Sequence, residues 1–536
     1  MRTTKVIALL VASGLLLNLR AFPAAAGQGD RLPIATAEAP IGLLDAVQST
    51  LARHPLLGVQ RQQVEISRAL RQQRSGDFDT QLRLTTALSR TNTPLTEAER
   101  AGGAVSGLSA DTFTGNDLDL TGTAHRLLRS GLTIGPTVVM NRATDNLQNT
   151  VGLNRTRVSF DVTVPMLRGK GRDVVTAPET AAEIEVQASL YDLNQEIADL
   201  VLSTATSYWQ YVASLRQLQI IADSEVRGQE FVAAVTTLVE ADKLPRSEIN
   251  QAQANLASRA TGRIVVEQQA TEARSSLALA MGLTPEQLAQ LPPPADGFPD
   301  GISQPPPSLS PERIRSLINL ALTRRADYLA AEKAREAADV IRQAVSNRLR
   351  PQLDLTISGG YSSLHEGGRA NEFFVSPFTR MKGPNAVVGF RYESTPANNL
   401  ARGELAEAEA SYQRSLLLRT ERGRVIANDV VNALTAILTG VNRLNRANEA
   451  VTAYRAALEG ERDKLRLGVG SIIDILTIEG RLTEALLDFV SAQQAYAVSL
   501  VQLRHAGGLL VDPDQATHSF ERDLFFRPPP QAYQGQ

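Results

Sequence analysis

The apolar and polar positions of segment 51–85 recur, in the same order, in segment 322–356. A single offset of 271 residues, 322 minus 51, aligns the two segments without a gap. In each copy the pattern has helical spacing before Ser75 or Ser346, and a few residues later it alternates as in a strand. Self-similarity that crosses two kinds of element predicts a duplicated helix-then-strand unit.

The longest apolar stripes predict one helical hairpin in each copy. In segment 178–240, apolar or small residues recur at alternating steps of three and four, as they do in coiled coils, and segment 400–465 repeats that spacing. Each long helix is followed by a turn and a return helix, predicted at 247–281 and 471–505. The turns that form the hairpin tips contain Leu244, Pro245, Gly468 and Gly470.

Four shorter segments alternate apolar with polar residues, as amphipathic strands do. These segments are 80–89, 157–165, 352–361 and 386–393. A sheet that faces lipid on one side needs this pairing of faces. The intervening stretch 91–153 is rich in Gly, Thr, Asn and Asp and has candidate short strands at 117–121 and 132–140, which we interpret as loop or hairpin extensions.

The N-terminus has the pattern of a secretory signal. Arg2 and Lys5 frame the charged start of an apolar run, and Ala24 to Ala26 form a small-residue cleavage site. After this signal, we find no segment with the length and apolarity of a transmembrane helix, so membrane insertion would require strands. The predicted parts are a signal peptide (1–26), a first structural repeat (27–290), a Pro-rich linker (291–311), a second repeat (312–510) and a C-terminal tail (511–536).

Composition argues against several classes of function. The formal net charge of −2 gives no basis for binding nucleic acid. The absence of cysteine removes disulfides and thiolate metal sites, and it suits an exported bacterial envelope protein. His365 and Glu366 begin like a zinc-protease motif, but Arg369 occupies the position of the second ligand. The sequence therefore predicts no catalytic, cofactor or metal site, and no enzyme.

Four strands per chain are too few to form a closed sheet in a membrane. Unpaired backbone groups in lipid each cost several kcal/mol, and single-chain barrels begin at about eight strands. Several copies of the chain must therefore share one barrel. The helix predicted at 178–240 would be about 90 Å long, roughly three times the thickness of the hydrocarbon core of a bilayer. The pattern thus predicts a tube, in which long helices continue a membrane ring into an aqueous compartment.

Several segments, taken in their order and spacing, resemble the TolC-like outer membrane efflux protein family. The resemblance extends over nearly all of the mature chain. The segments that carry it are LLDAVQSTLARHP (43–55), VPMLRGKGR (164–172), RADYL (325–329) and LRLGVGSIIDIL (465–476).

The resemblance implies a mainly α fold with β-structure and an internal duplication. Long coiled-coil helical hairpins would form an α-barrel, and four strands per chain would contribute to a shared trimeric transmembrane β-barrel of twelve strands. The implied function is that of the outer membrane channel subunit of a tripartite efflux or type I secretion system, a passive exit duct that extends into the periplasm. The implied partners are two further copies of the chain, outer membrane lipid, a periplasmic adaptor protein and an inner-membrane efflux pump or ABC exporter.

The same resemblance points to acidic side chains at the tunnel mouth. In the family, acids near the tip turns form a cation-sensitive constriction, and Asp474 and Glu248 match those positions. Thr477 stands where the family has a second tip aspartate, while Leu465 and Gly470 replace a Tyr and an Arg that hold the turns closed in some members. A different explanation is equally open, because both acids lie in the first turn of a predicted helix, where a negative charge interacts favourably with the helix dipole.

A soluble periplasmic coiled-coil adaptor, or another structural protein of the envelope, is the alternative class. The helical hairpins alone would suffice for such a protein. The alternating strands between Gly-rich loops argue against this alternative, since an adaptor has no use for a lipid-facing sheet.

Overall fold

The computed structural model describes residues 40–105, 110–147, 151–242, 245–288, 290–302, 310–367, 373, 382–467, 469–513 and 519–529. The predicted signal peptide lies outside these residues. Within them, helices alternate with strands in two successive rounds. The helices are α1 (Leu43–Arg53), α2 (Pro55–Ser75), α3 (Glu97–Val105), α4 (Arg172–Val175), α5 (Ala177–Glu240), α6 (Ser247–Ala280), α7 (Pro285–Leu288), α8 (Pro311–Arg324), α9 (Ala326–Ser346), α10 (Asn399–Arg466), α11 (Ile472–Ala506) and α12 (Asp523–Phe526).

The strands form one antiparallel sheet in which each strand pairs with its neighbour in sequence. They are β1 (Gln81–Pro94), β2 (Thr112–Leu127), β3 (Thr133–Asp145), β4 (Leu153–Pro165), β5 (Gln352–Glu366) and β6 (Gly383–Glu393). The last strand of the first copy, β4, pairs with the first strand of the second copy, β5. The sheet therefore joins the two copies directly.

The sheet has six strands, whereas the sequence predicted four. The four predicted strands are present as β1, β4, β5 and β6. The candidate short strands at 117–121 and 132–140 fall inside or overlap β2 and β3, but the interpretation of 91–153 as loop or hairpin extensions is wrong, because these two strands have the length of the other strands. Their many Gly, Asn and Asp residues obscure the alternation in the sequence, and the ladders formed with β1 and β4 stabilise them despite low strand propensity.

The predicted internal duplication is confirmed element by element. Helices α2 and α9 have 21 residues each and begin 271 positions apart, at Pro55 and Ala326. In each copy a short 3-10 turn follows, and then a strand begins at Gln81 or Gln352, again with the same offset. The residue numbers at which we divide the chain into its five parts stay predictions.

The long helices pack around two apolar cores. The first core contains α1, α5, α6 and α11 and is centred on Tyr208 and Trp209, both fully buried. The second core joins α8, α10 and α11. The coiled-coil spacing predicted for α10 is confirmed, because five apolar residues at alternating steps of four and three are all buried. These residues are Val430, Leu434, Ile437, Val441 and Leu444.

The sequence predicted no segment after the signal with the length and apolarity of a transmembrane helix, and by these two criteria alone that prediction is wrong. Among the described residues, one helix, Asn399–Leu465, contains a window that is long and apolar enough to cross a membrane. We assign this helix to the helical packing, because α10 contacts α8, α9 and α11 and its 68 residues correspond to about 100 Å. Residues of this helix from Ile426 to Val441 contribute to the second core.

The linker and the C-terminal segment lie against the first core. Asp296, in the linker, accepts hydrogen bonds from the backbone nitrogen of Leu43 at 2.8 Å and from the hydroxyl of Tyr208 at 3.2 Å. Arg522 donates to the same carboxylate at 2.8 Å, and Phe525 is fully buried. These contacts fix the start of α1, the middle of α5 and the C-terminal segment to one another.

Candidate functional site

One face of the sheet carries apolar residues on every strand; these residues are exposed on the outer strands β1 and β6 and half-buried or buried on β2 and β3. The paired positions Leu84–Gly122, Val158–Tyr361 and Leu355–Phe390 show that apolar residues of neighbouring strands point to the same side. Leu82 is 80% exposed, and Phe390 is 70% exposed. Apolar side chains that remain exposed across one face of a sheet indicate a surface made for lipid, although Met140 on the same face is buried. Other members of this face are Leu88, Leu118, Leu120, Ile134, Val138, Met140, Phe160, Val162, Ile357, Val388 and Tyr392.

The opposite face is polar and concave. Asp161 on β4 accepts hydrogen bonds from Thr137 on β3 at 2.7 Å and from Ser358 on β5 at 2.6 Å. Asn141 on β3 donates to Asp119 on β2 at 2.8 Å. A cavity of about 1220 Å³ lies against this face and is lined by side chains that include Asp117, Arg155 and Arg157. An apolar convex face and a polar concave face are the arrangement of a barrel wall around water.

The second region is the pair of hairpin tips at the far end of the long helices. Val235 and Val239 on α5 and Ala252 on α6 pack against Ile472 and Leu476 on α11. The two tips therefore share one small apolar core. Of the four residues assigned to the turns, Leu244 and Gly468 lie outside the described residues, and Pro245 is exposed before α6.

Gly470 closes the second tip against the end of α10. A β-carbon at this position would lie 2.6 Å from the backbone nitrogen of Leu465, so the turn has no room for a side chain. Ser471 then caps α11, because its hydroxyl accepts a hydrogen bond from the backbone nitrogen of Ile473 at 3.2 Å. The arginine that some members of the resembling family carry at this position does not fit this turn.

Asp474 is exposed in the first turn of α11. Its negative charge reaches Lys464, near the end of α10. The Glu461 carboxylate, 2.6 Å from Lys464 Nζ, raises the pKa of that ammonium, and the charge of Asp474 raises it further. Asp474 is thus free to face water while it balances a cation on the neighbouring helix.

Glu248 is half-buried in the first turn of α6. Its backbone nitrogen donates to the carbonyl of Pro245 at 3.1 Å. Oε2 of this carboxylate is buried and has no hydrogen-bond partner within the part of the chain that the structure describes. The two acids therefore stand in different environments, one in water and one against the tip.

A buried ionic cluster lies about two to four helical turns from the tips, and the sequence pattern did not predict it. Glu479 on α11 is 1% exposed and binds Arg227 on α5 at 3.0 Å and Arg259 on α6 at 3.1 Å. Arg259 also donates to the carbonyl and hydroxyl of Ser224, and Thr483 donates to the same hydroxyl. This cluster joins the two hairpins, which the apolar core of the tips alone would hold less specifically.

A sequence signal for this cluster exists. Glu479 falls on the apolar stripe of α11, three residues after Leu476 and three before Leu482, where a charge is buried with the stripe. Among the described residues, by contrast, no group of three or more His, Asp or Glu side chains is arranged to hold a metal ion. The buried charges in this region hold helices together.

Solved structures of outer membrane channels have this fold. The CmeC outer membrane channel of Campylobacter jejuni superposes with a TM-score of 0.63, at 15% identity, over 88% of this chain and 87% of that chain. The outer membrane protein VceC of Vibrio cholerae superposes with a TM-score of 0.62, at 16% identity, over 87% of this chain and 96% of that chain. At such identities the likeness establishes the fold.

The sequence comparisons show similarity to one family. The model of the outer membrane efflux protein family matches residues 317–509. Outer membrane protein TolC of Escherichia coli is 21% identical over 369 residues, which are 68% of this chain and 72% of TolC. The prediction of a TolC-like outer membrane efflux protein is confirmed. The same similarities confirm the predicted localisation in the outer membrane, with an extension into the periplasm.

Proposed function

We propose that three copies of this chain form one channel, which acts as a passive exit duct of a tripartite efflux or type I secretion system. The observation that carries the proposal is the open sheet with one exposed apolar face, joined to helices of 64 and 68 residues. The sheet supplies the part that crosses the membrane. The helices, each about 100 Å long, supply a tunnel through the compartment below it.

Assembly follows from the two free edges of the sheet. Within the described residues, β1 pairs only with β2, and β6 pairs only with β5. An unpaired row of backbone donors and acceptors is unstable in lipid, so the edges require partners. Pairing β1 of one copy with β6 of the next satisfies both edges and closes a ring, and a homotrimer is the state that the family resemblance implies.

The proposed partners follow from what a duct lacks. The polar concave face and the tips offer a path, but a passive path supplies no energy for transport. We therefore assign energy to an inner-membrane efflux pump or ABC exporter, and we assign the link between pump and duct to a periplasmic adaptor at the hairpin tips. We propose no catalysis, because the buried charges near the tips are engaged in ion pairs between helices.

Asp474 and Glu248 are proposed to form the constriction at the tunnel mouth. Asp474 is exposed beside the tip, and threefold symmetry would place three copies of its charge around one water path. A ring of like charges in a narrow passage favours cations there. The helix dipole explains the position of each acid equally well, so a measurement of ion flow must separate the two.

Single-channel recording in planar bilayers tests the duct and its mouth together. We expect the purified protein to form conducting pores, and we expect Asp474→Asn to weaken block by divalent cations by about tenfold, which corresponds to about 1.4 kcal/mol. Glu421→Gln, an exposed acid of α10 far from the tip, is the matched control and should leave block unchanged. An Asp474→Asn channel with unaltered block and a lower melting temperature would assign this acid to the helix dipole instead.

Fractionation separates the proposed duct from a soluble adaptor. An adaptor would leave the cell envelope in buffer without detergent. The exposed apolar face of the sheet predicts the opposite behaviour, because lipid must cover residues such as Leu82 and Phe390. Release of the folded chain by osmotic shock alone would contradict the proposed function.

A further inference from the structure

We propose that the β2–β3 hairpin is part of the transmembrane wall, so that each subunit contributes six strands and three subunits close a ring of eighteen. This inference rests on the proposed trimeric channel and changes its wall, because the family resemblance implies twelve strands. A hairpin of this length has two other places to go: it could lie outside the bilayer or fold into the lumen. Four observations on the described residues place it in the wall.

The first observation is length and register. β2 has 16 residues and β3 has 13, and a tilted strand needs only about 9–11 to cross a bilayer. β1 pairs with β2 along the whole length of β1, from Gln81–His125 to Pro94–Thr112. β3 pairs with β4 from Thr133–Thr163 to Ala143–Leu153. The hairpin therefore separates β1 from β4 completely.

The second observation is the continuity of both faces. Leu118, Leu120 and Met140 fall on the apolar face with their neighbours on β1 and β4. On the polar face, Asn141 donates to Asp119 within the hairpin, and Thr137 donates to Asp161 on β4. A hairpin outside the bilayer has no need for an apolar face in register with lipid-facing strands.

The third observation is a glycine at the corresponding place in the inserted and the original strands. A β-carbon on Gly135 of β3 would lie 1.8 Å from the carbonyl oxygen of Ala124, and one on Gly360 of β5 would lie 2.1 Å from that of Val158. Both positions belong to the polar, concave face. Glycines that admit close backbone approach on the inner face allow a sheet to bend into a barrel. The hairpin thus carries the same bend as the strands around it.

The fourth observation is the anchor of the β2–β3 turn. Arg129, in this turn, binds Glu179 at the start of α5 through two hydrogen bonds, of 2.7 and 2.9 Å. Its guanidinium also lies 4.7 Å from the centre of the Phe78 ring, just before β1. The turn therefore sits where the sheet meets the helices. Short turns on the periplasmic side and longer loops outside are the arrangement of outer membrane barrels.

Topology explains how such an insertion is tolerated. Each added strand reverses the direction of the chain, so two added strands leave the direction of the following strand unchanged. β4 therefore runs antiparallel to β1 with or without the hairpin. The insertion therefore widens the ring without changing the polarity of any other strand. Because barrel diameter grows roughly linearly with strand number, the ring would be about 1.5 times as wide as one of twelve strands. The tips of the helical hairpins, rather than the ring of strands in the membrane, would then form the narrowest part of the channel.

Cysteine labelling tests the position of the hairpin, since the native chain has no cysteine. Trimers in lipid nanodiscs would carry Leu120→Cys or Thr121→Cys, on the apolar and polar faces of β2. Val158→Cys and Ser159→Cys form the matched pair on β4. We expect a water-soluble maleimide to label the polar-face cysteine of each pair about tenfold faster or more, because a thiol in an apolar environment forms little reactive thiolate.

A disulfide pair gives a second readout that does not depend on labelling rates. Thr86→Cys with Leu120→Cys joins paired positions of β1 and β2, and Ile357→Cys with Val388→Cys is the control on β5 and β6. We expect both pairs to oxidise within one chain. Equal labelling of the two β2 positions, or loss of the Thr86–Leu120 crosslink while both controls behave as expected, would overturn the eighteen-strand ring alone. Loss of alternation on β4 would overturn the membrane sheet and the proposed function with it.

Discussion

Glu479 holds an arginine of α5 and an arginine of α6 beside the hairpin tips, and its charge is almost fully buried. We expect Glu479→Gln to lower the free energy of unfolding by about 3 kcal/mol, because Arg227 and Arg259 would keep their charges without the carboxylate that compensates them. The midpoint of chemical unfolding, followed by circular dichroism in detergent, measures this loss.

The matched control for this variant is Glu449→Gln. Glu449 pairs with Arg446 on the exposed surface of α10, where such pairs contribute about 0–1 kcal/mol. Equal effects of the two substitutions would contradict a special role for the buried cluster.

The Arg129–Glu179 pair gives the anchor of the β2–β3 turn a pH dependence. The hydrogen bonds and charge of Arg129 hold the pKa of the Glu179 carboxyl below its usual value of 4.5. An acid with a lowered pKa in the folded state contributes stability above its unfolded pKa and loses it as the pH falls through the folded value. We expect Glu179→Gln to lower the melting temperature at pH 7, and we expect the difference from the parent protein to shrink below pH 4.5. A difference that stays constant between pH 7 and pH 3 would contradict this role of the pair.

At the residue scale, the sequence predicted exposed groups better than buried ones. The position of Asp474 in the first turn of α11 followed from the turn before it, and its exposure fits the proposed mouth. The contacts of Glu479 did not follow, because they depend on how α5, α6 and α11 approach one another across 220 to 252 residues of chain. Helical spacing shows that a charge lies on a buried stripe, but it does not show which arginine reaches it.

In each copy of the duplicated unit, a glycine follows the return helix and packs against the junction between the first two helices of that copy. Gly282 lies against His54, between α1 and α2, and Gly508 lies against Arg325, between α8 and α9. Gly282 and Gly508 both have positive φ, and a β-carbon on Gly508 would lie 2.8 Å from the backbone nitrogen of Arg325. We expect Gly508→Ala to cost about 1–3 kcal/mol through backbone strain and this close contact. Unfolding midpoints of the purified variant and parent measure the cost.

Gly480→Ala is the control for this element. Gly480 lies inside α11 with no atom within 4 Å of an added β-carbon, so alanine there should stabilise the helix by about 0.5–1 kcal/mol. Opposite signs for the two substitutions are expected. Two stabilising substitutions would contradict the packing of Gly508 against the break before α9.

At the element scale, the helices were predictable because Pro and Gly residues mark where they begin and end. The predicted bounds of α5, α6, α10 and α11 lie within one residue of those in the structure. The full length of strands β2 and β3 was not predicted, because their Gly, Asn and Asp residues are typical of turns. Their structure depends on pairing with β1 and β4, and the paired residues lie up to 44 positions apart for Gln81–His125 and up to 30 for Thr133–Thr163, a separation at which pairing has no local signal in the sequence.

At the scale of the whole molecule, the sheet is the feature that demands more than one chain. Within the residues that the structure describes, the outer edges of β1 and β6 have no partner, and such a sheet is stable in lipid only when other copies complete the wall. The sequence already indicated this, because any count of strands below about eight leaves the same deficit. Six strands per chain instead of four would make the ring larger, but the sheet would still need other copies of the chain to close.

The mass of the detergent-solubilised protein tests this claim most directly. Native mass spectrometry, or light scattering corrected for detergent, counts the chains in each particle. We expect a particle of three processed chains, with no folded monomer at equilibrium with it. A monomer that keeps its strand content and resists proteolysis on its own would contradict a sheet that closes only between copies.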